Sequence, residues 1–173
     1  MLAYLASIAS KNRLYIALYA RGGEGYHWAL LTGPKSDRPG DPGKRYHAKQ
    51  YSTLWAFCEE NIRLAPTNMI LVRVLVAKVS NRRKLEAVLP NIPMRPEVPG
   101  WTCKTWVQEA FEALKDAQAI DCPFGWAAVC QTALWYVHHK AERHRFDGLA
   151  QTLYYDEAKV ATWDMLEEDE KHP

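Results

Sequence analysis

The residue of this chain best suited to nucleophilic chemistry is Cys103, placed where a helix should begin in Trp101-Thr102-Cys103-Lys104-Thr105-Trp106-Val107. The first turn of a helix leaves backbone N–H groups unpaired and carries the positive end of the helix dipole. Both favour thiolate, the nucleophilic form of the side chain. Upstream stand His27, in Gly25-Tyr26-His27-Trp28-Ala29-Leu30-Leu31, and His47, in Tyr46-His47-Ala48-Lys49. An imidazole in reach takes the thiol proton and a second polar group orients that imidazole, so Cys103, His27 and His47 form a candidate triad for acyl chemistry. The N–H groups of Cys103 and its neighbours are then placed to hold the oxyanion of a tetrahedral intermediate. Each piece alone has a plainer explanation, since a cysteine at a helix start is commonly just a small buried residue and a strand-end histidine is commonly just hydrogen-bonded.

Positioning these groups takes a sheet and a helix. Leu14, Ile16, Leu18 and Ala20 alternate with Tyr15, Ala17 and Tyr19 as a strand with two apolar faces. Gly22-Gly23-Glu24-Gly25 is a turn, and Tyr26–Thr32 is a second strand stopped by Gly33-Pro34. A loop over Lys35–Gly43 leads to a third strand, Lys44–Tyr51. Short Gly/Pro connections predict an antiparallel meander, which brings same-face side chains of neighbouring strands together. His27 shares a face with Ala29 and Leu31, and that face is expected to meet the cysteine helix. Thr53–Arg63 reads as a helix with Leu54, Phe57 and Cys58 on one side and Glu59 and Glu60 opposite. Met69–Val79 is the strongest strand and is expected to be central. Ser80 is expected to cap a helix running to Leu89, after which Pro90, Pro93, Pro96 and Pro99 forbid regular structure. Thr102 is a fair N-cap for the helix in which Cys103, Val107, Ala110, Phe111 and Leu114 share one face. A second long helix runs from Gly125 to about Arg143, with Val129, Ala133, Tyr136 and Val137 inward. Trp126, Trp135 and Tyr136 are expected to pack in the core, and Cys58 and Cys130 to hold helical core positions. The acidic tail, residues 165–173, is expected to fray.

The 173 residues suit a single domain spanning 1–173 with a core that needs no crosslinks. A content of 48% hydrophobic and 24% charged residues is that of a soluble globular protein, and the seven Trp and nine Tyr predict an aromatic-rich core or a ring-lined groove. The net charge of +2 gives no basic stripe, so nucleic acid is not indicated, although an aminoacyl-ester donor is not excluded. Cys58, Cys103, Cys122 and Cys130 form no CxxC pair or regular framework, which points to a reduced, cytoplasmic compartment. Residues Met1–Ser10 are apolar but short and lack a basic lead, so they are not read as a signal peptide. No apolar run has the length of a membrane span. His138, His139 and His144 contain no i, i+4 pair and no companion carboxylate cluster, so neither a metal nor another cofactor is expected. Gly22-Gly23-Glu24-Gly25 precedes a strand rather than a helix and does not make a phosphate cradle. Cys122, before Pro123, has no base suggested nearby.

The motif set resembles the circularly permuted papain-like (NlpC-type) cysteine enzymes, the group of lecithin:retinol acyltransferase and its phospholipase/acyltransferase relatives. The resemblance rests on His27-Trp28-Ala29 on a strand, His47 on the next strand, and Cys103–Val107 opening a later helix. It implies an α+β fold with an antiparallel sheet of about four or five strands packed on the cysteine helix. It also implies Cys103 as nucleophile, His27 as base and His47 as the orienting group. Thr102 and Lys104-Thr105 stand where the acyltransferases have Asn and Glu-His, so a lipid substrate does not carry over. Across nearly its full length the chain is similar to a family of small fungal proteins. That likeness is carried by His27–Leu30, Gly33-Pro34-Lys35, Tyr46–Lys49 and Trp101–Val107. The expectation is a cysteine hydrolase or acyltransferase acting on a small-molecule or peptide amide, ester or thioester through a thioacyl intermediate. Trp28, Trp101, Thr102 and Trp106 would bind substrate. The alternative is a non-catalytic binding module on the same fold with a decayed triad.

Overall fold

The alternation along the first apolar segment becomes the middle of a mixed sheet in the computed structural model, which describes residues 12–173. The readings of residues 1–10 lie outside the described residues. Strands β1 (Asn12–Tyr19), β2 (His27–Pro34) and β3 (Pro42–Tyr51) form the expected antiparallel meander, and β5 (Ile70–Val79) pairs antiparallel with β1 on its other side. The strand order is β4-β3-β2-β1-β5-β7-β8, with β4 at Leu54–Arg63, β7 at Ala161–Asp164 and β8 at Asp169–His172. A short β6 (Ile120–Asp121) pairs with the end of β5, and β7 runs parallel to β5. The fold is α+β as expected, but the sheet has eight strands among the described residues rather than four or five.

Two sequence expectations account for two of the added strands, β4 and β8; the others, β6 and β7, are short. The segment Thr53–Arg63 is not a helix. It forms β4, which pairs with β3 along an unbroken ladder from Tyr51↔Leu54 to Pro42↔Arg63. Ser52 turns the chain between them at φ +55°. The period that matters is two, not 3.6: Trp55 and Phe57 point to one face, where they meet Trp101 and Trp106 at ring separations of 5.3 and 5.8 Å. Cys58 therefore lies half-buried on a strand rather than in a helical core. The acidic tail does not fray, because β8 pairs with β7. Glu170 is ion-paired with the fully buried Lys140 and accepts a 2.8 Å hydrogen bond from the Tyr136 hydroxyl.

Three helices follow the sheet: α1 (Arg82–Val88), α2 (Cys103–Asp116) and α3 (Trp126–Glu142). Asn81, not Ser80, caps α1, its side-chain oxygen accepting from the Lys84 N–H at 3.0 Å. The prolines from Pro90 onward leave a single 3-10 turn, Leu89–Asn91. Helix α2 packs on β2 and β3, and α3 packs on β5 and β1. The core lies between them and the sheet face carrying Leu14, Ile16, Leu18, Trp28, Leu30, Tyr46 and Ala48. The buried side of α2 is the predicted one with Trp106 added. Inward residues of α3 also match, but Trp135 is 46% exposed, with His139 stacked on it at 5.6 Å, and is not core. The opposite sheet face has its own apolar cluster, Tyr15, Ala17, Tyr19, Ala29, Leu31 and Leu75.

Candidate active site

The first intrahelical hydrogen bond of α2 runs from the Trp106 N–H to the Thr102 carbonyl at 3.0 Å, so the N–H groups of Cys103, Lys104 and Thr105 precede it. Thr102 is extended, and its own N–H donates to the Thr105 hydroxyl at 3.3 Å, which fixes the entry of the chain. Cys103 is thereby held at the buried start of the helix, only 3% exposed. It still lines a cleft of about 440 Å³ together with His27 and His47. Tyr19, Ala20, Arg21, Arg45, Lys49, Gln50, Trp55 and Met69 complete that wall.

The histidines reach the cleft from the face opposite the cysteine helix, not from the face turned toward it. Strand alternation decides this. His27 pairs with Tyr19, whose ring belongs to the opposite cluster and lies 6.1 Å from the imidazole, while Trp28 and Leu30 point to α2. The β2–β3 ladder runs only from Thr32↔Lys44 to Leu30↔Tyr46. Beyond Leu30 the two strands are no longer bonded to each other, and at that open end side chains from both sheet faces line one cleft. His27 and His47 occupy a diagonal across the continued register, close enough for their rings to meet.

They do meet. His27 Nε2 and His47 Nδ1 are 2.6 Å apart, with the rings edge to face. On its far side His47 Nε2 faces the Glu60 carboxylate at 3.4 Å, within ion-pair range but without hydrogen-bond alignment. Arg45 Nε donates to the same carboxylate oxygen at 2.6 Å. The Glu60 charge favours the tautomer with the proton on His47 Nε2; in that tautomer His47 Nδ1 accepts from His27 Nε2–H, and neutral His27 keeps its free lone pair on Nδ1. Among the described residues no hydrogen bond joins the Cys103 sulfur to either imidazole.

Burial sets the charge state of this row. Desolvation, with Arg45, Arg21 and Lys49 nearby, lowers the His27 pKa to about 4. Desolvation and the His27 ring beside it lower that of His47 to about 4 as well. Both imidazoles are therefore neutral at pH 7. Burial works to raise the Glu60 pKa, but the Arg45 hydrogen bond and charge, with His47, outweigh it and hold the carboxyl below its ordinary range.

Four residues expected to bind substrate are placed elsewhere. Trp28 and Trp106 are core residues, 3% and 0% exposed. Trp101 is buried against Trp55, and Thr102 serves the start of α2. Inward strand parity and the inward stripe of α2 took these rings out of the cleft. In their place stand Tyr19, Arg21, Arg45, Lys49 and Trp55, with Glu60 behind His47. The sequence signal that could have found Glu60 is the Trp55/Phe57 alternation, which makes the segment a strand and sets Glu60 opposite Arg45. His138 lies beside the Tyr26 ring, His139 stacks on Trp135, and His144 bonds Asp147 at 2.7 Å. Among the described residues no cluster of His, Cys, Asp and Glu has the makings of a metal site, and no helix is long and apolar enough to cross a membrane. All four cysteines are free thiols.

No curated protein and no solved structure matches the chain. One family model does, over residues 11–172, and the chain belongs to that family, described as a family of unknown function (DUF6914).

Proposed function

We propose that the protein is a cysteine-dependent acyl-transfer or hydrolytic enzyme on a papain-like, permuted NlpC-type arrangement of sheet and helix. One observation carries the reading: a cysteine at a helix start shares an open cleft with a hydrogen-bonded histidine pair backed by a carboxylate. In this reading His27 Nδ1 takes the Cys103 proton as the sulfur attacks the acyl carbon of an amide, ester or thioester. His47 and Glu60 hold the imidazole and share the charge it gains. First-turn N–H groups of α2 stabilise the oxyanion. Collapse of the intermediate breaks the bond to the leaving group, which takes the proton back from His27, and leaves a thioester on Cys103. Water or another nucleophile, deprotonated by His27, then releases the acyl group and restores the thiol. Because the histidine pair rests neutral, His27 acts as a base during attack rather than as a preformed imidazolium. Substrate binding would close the sulfur onto His27, as apo geometries commonly lack the tight catalytic hydrogen bond.

The missing Cys103–imidazole hydrogen bond and the near-complete burial of the thiol favour a second reading, a non-catalytic binding module. Incubation with 4-nitrophenyl acetate followed by intact and peptide mass spectrometry separates the two. The enzyme reading expects an acetyl adduct on Cys103 that forms quickly, turns over, and is lost in His27→Ala. An acetylation rate at Cys103 no higher than at Cys58, Cys122 and Cys130 would contradict it.

A further inference from the structure

The charge of the cleft narrows the substrate. Its lining includes Arg21, Arg45 and Lys49 and no carboxylate. Arg45 is taken up by Glu60. Arg21 and Lys49 form no ion pair among the described residues, and both are exposed at the cleft. Lys49 instead stands 5.2 Å from the centre of the Tyr51 ring, which keeps its ammonium at the rim. Tyr19, Trp55 and Met69 supply apolar surface beside these cations, and about 440 Å³ is the size range of small-molecule sites.

Resting on the acyl-transfer reading, we propose that the cleft takes an acyl substrate bearing an anionic group, phosphate or carboxylate, held by Arg21 and Lys49 beside the reacting carbonyl. Two unpaired cations lining a cleft, with no acid among them, attract an anion and orient it once water is displaced. The arrangement also couples binding to chemistry. The charges of Arg45, Arg21 and Lys49 oppose protonation of His27, after the larger effect of burial. An anion that neutralises Arg21 and Lys49 removes their share of that opposition, while Arg45 and burial continue to act, so His27 becomes a better base when the correct substrate is in place. A neutral substrate has no such effect.

Iodoacetate and iodoacetamide test this directly, because they share a reacting carbon and leaving group and differ in charge. Their alkylation rates at Cys103 are read by peptide mass spectrometry. The ratio of the two is normalised to the same ratio in the urea-unfolded chain. We expect a preference for iodoacetate of about tenfold at low salt, falling toward one in about 0.5 M sodium chloride and in Arg21→Gln/Lys49→Gln. A ratio near one for the native protein at low salt, or a preference that survives the double substitution, overturns the proposal. The catalytic reading is scored separately, by the rate with neutral iodoacetamide and its dependence on His27. Rapid, His27-dependent alkylation without anion preference removes the substrate class and leaves the triad. Anion preference without His27-dependent reactivity leaves an anion-binding cleft and removes the enzyme. Protection of Cys103 by inorganic phosphate assigns the anion to a soluble ligand. Protection only by vesicles of phosphatidylcholine containing phosphatidylserine, and not by phosphatidylcholine alone, assigns it to a headgroup.

Discussion

Acidification should destabilise this protein through His27 and His47 before either titrates in the folded chain. Both have an ordinary pKa of 6.5 that is lowered to about 4 in the fold. Between those values the unfolded chain binds protons that the folded chain declines, so stability is fully present above about pH 6.5 and falls as pH falls toward 4. For one histidine with that shift, the loss between pH 7.5 and 4.5 is about 2.5 kcal/mol. His47 is 3% exposed and should approach it. His27 is more exposed and more screened, and a proton on one ring opposes a proton on the other, so about 2–4 kcal/mol is expected for the pair. Asp37 and Glu60 are held below their ordinary values and contribute with the same sign, so the quantity to measure is a double difference. Urea unfolding of wild type and His27→Gln/His47→Gln at pH 7.5 and 4.5 gives it. The wild type should lose more stability than the variant by that amount, and the two ring C–H resonances should titrate near pH 4 by NMR. Equal pH dependence in both proteins, with ring resonances titrating near 6.5, would refute the argument that burial and the surrounding cations keep the pair neutral.

Two further outcomes follow from individual contacts. Glu60→Gln keeps the shape behind His47 but removes the charge that fixes its tautomer, and it should slow iodoacetamide alkylation of Cys103 about tenfold with the fold intact by circular dichroism. Glu170→Ala strands the buried Lys140 ammonium and should destabilise the protein by about 3–5 kcal/mol in urea, whereas Lys140→Met/Glu170→Gln should recover most of that loss.

The parts of this fold that local pattern determines were legible in the sequence. The meander of β1, β2 and β3 was visible in alternation and Gly/Pro turns, and the buried stripe of α2 in its helical spacing. What the sequence did not disclose depended on which partner each segment pairs and packs with, not on its own residue pattern. Leu54, Phe57 and Cys58 fit a helical stripe as readily as Trp55 and Phe57 fit a strand, and the deciding influence is the ladder offered by β3 and the tryptophans of the α2 region. The tail looked like a solvated charge run because among the described residues it pairs only with the four-residue β7 just before it, and because the buried cation it meets, Lys140 on α3, lies well upstream in the chain. Reading Thr53–Arg63 as a helix also hid Glu60, whose role beside His47 exists only when that segment is extended. Cys103, His27 and His47 were recognisable as residues and do line one cleft. Their approach was not foreseen, because it uses the place where the β2–β3 ladder ends and both sheet faces become accessible.

The most direct test of the central claim is the rate of iodoacetamide alkylation at Cys103 as a function of pH, in wild type and His27→Ala, with Cys58, Cys122 and Cys130 as internal references. The account predicts that Cys103 reacts faster than the three other thiols at neutral pH despite its burial, and that His27→Ala lowers its rate at least about tenfold while leaving theirs unchanged. A Cys103 rate at or below that of the reference thiols, with a pH profile the substitution does not alter, would contradict it.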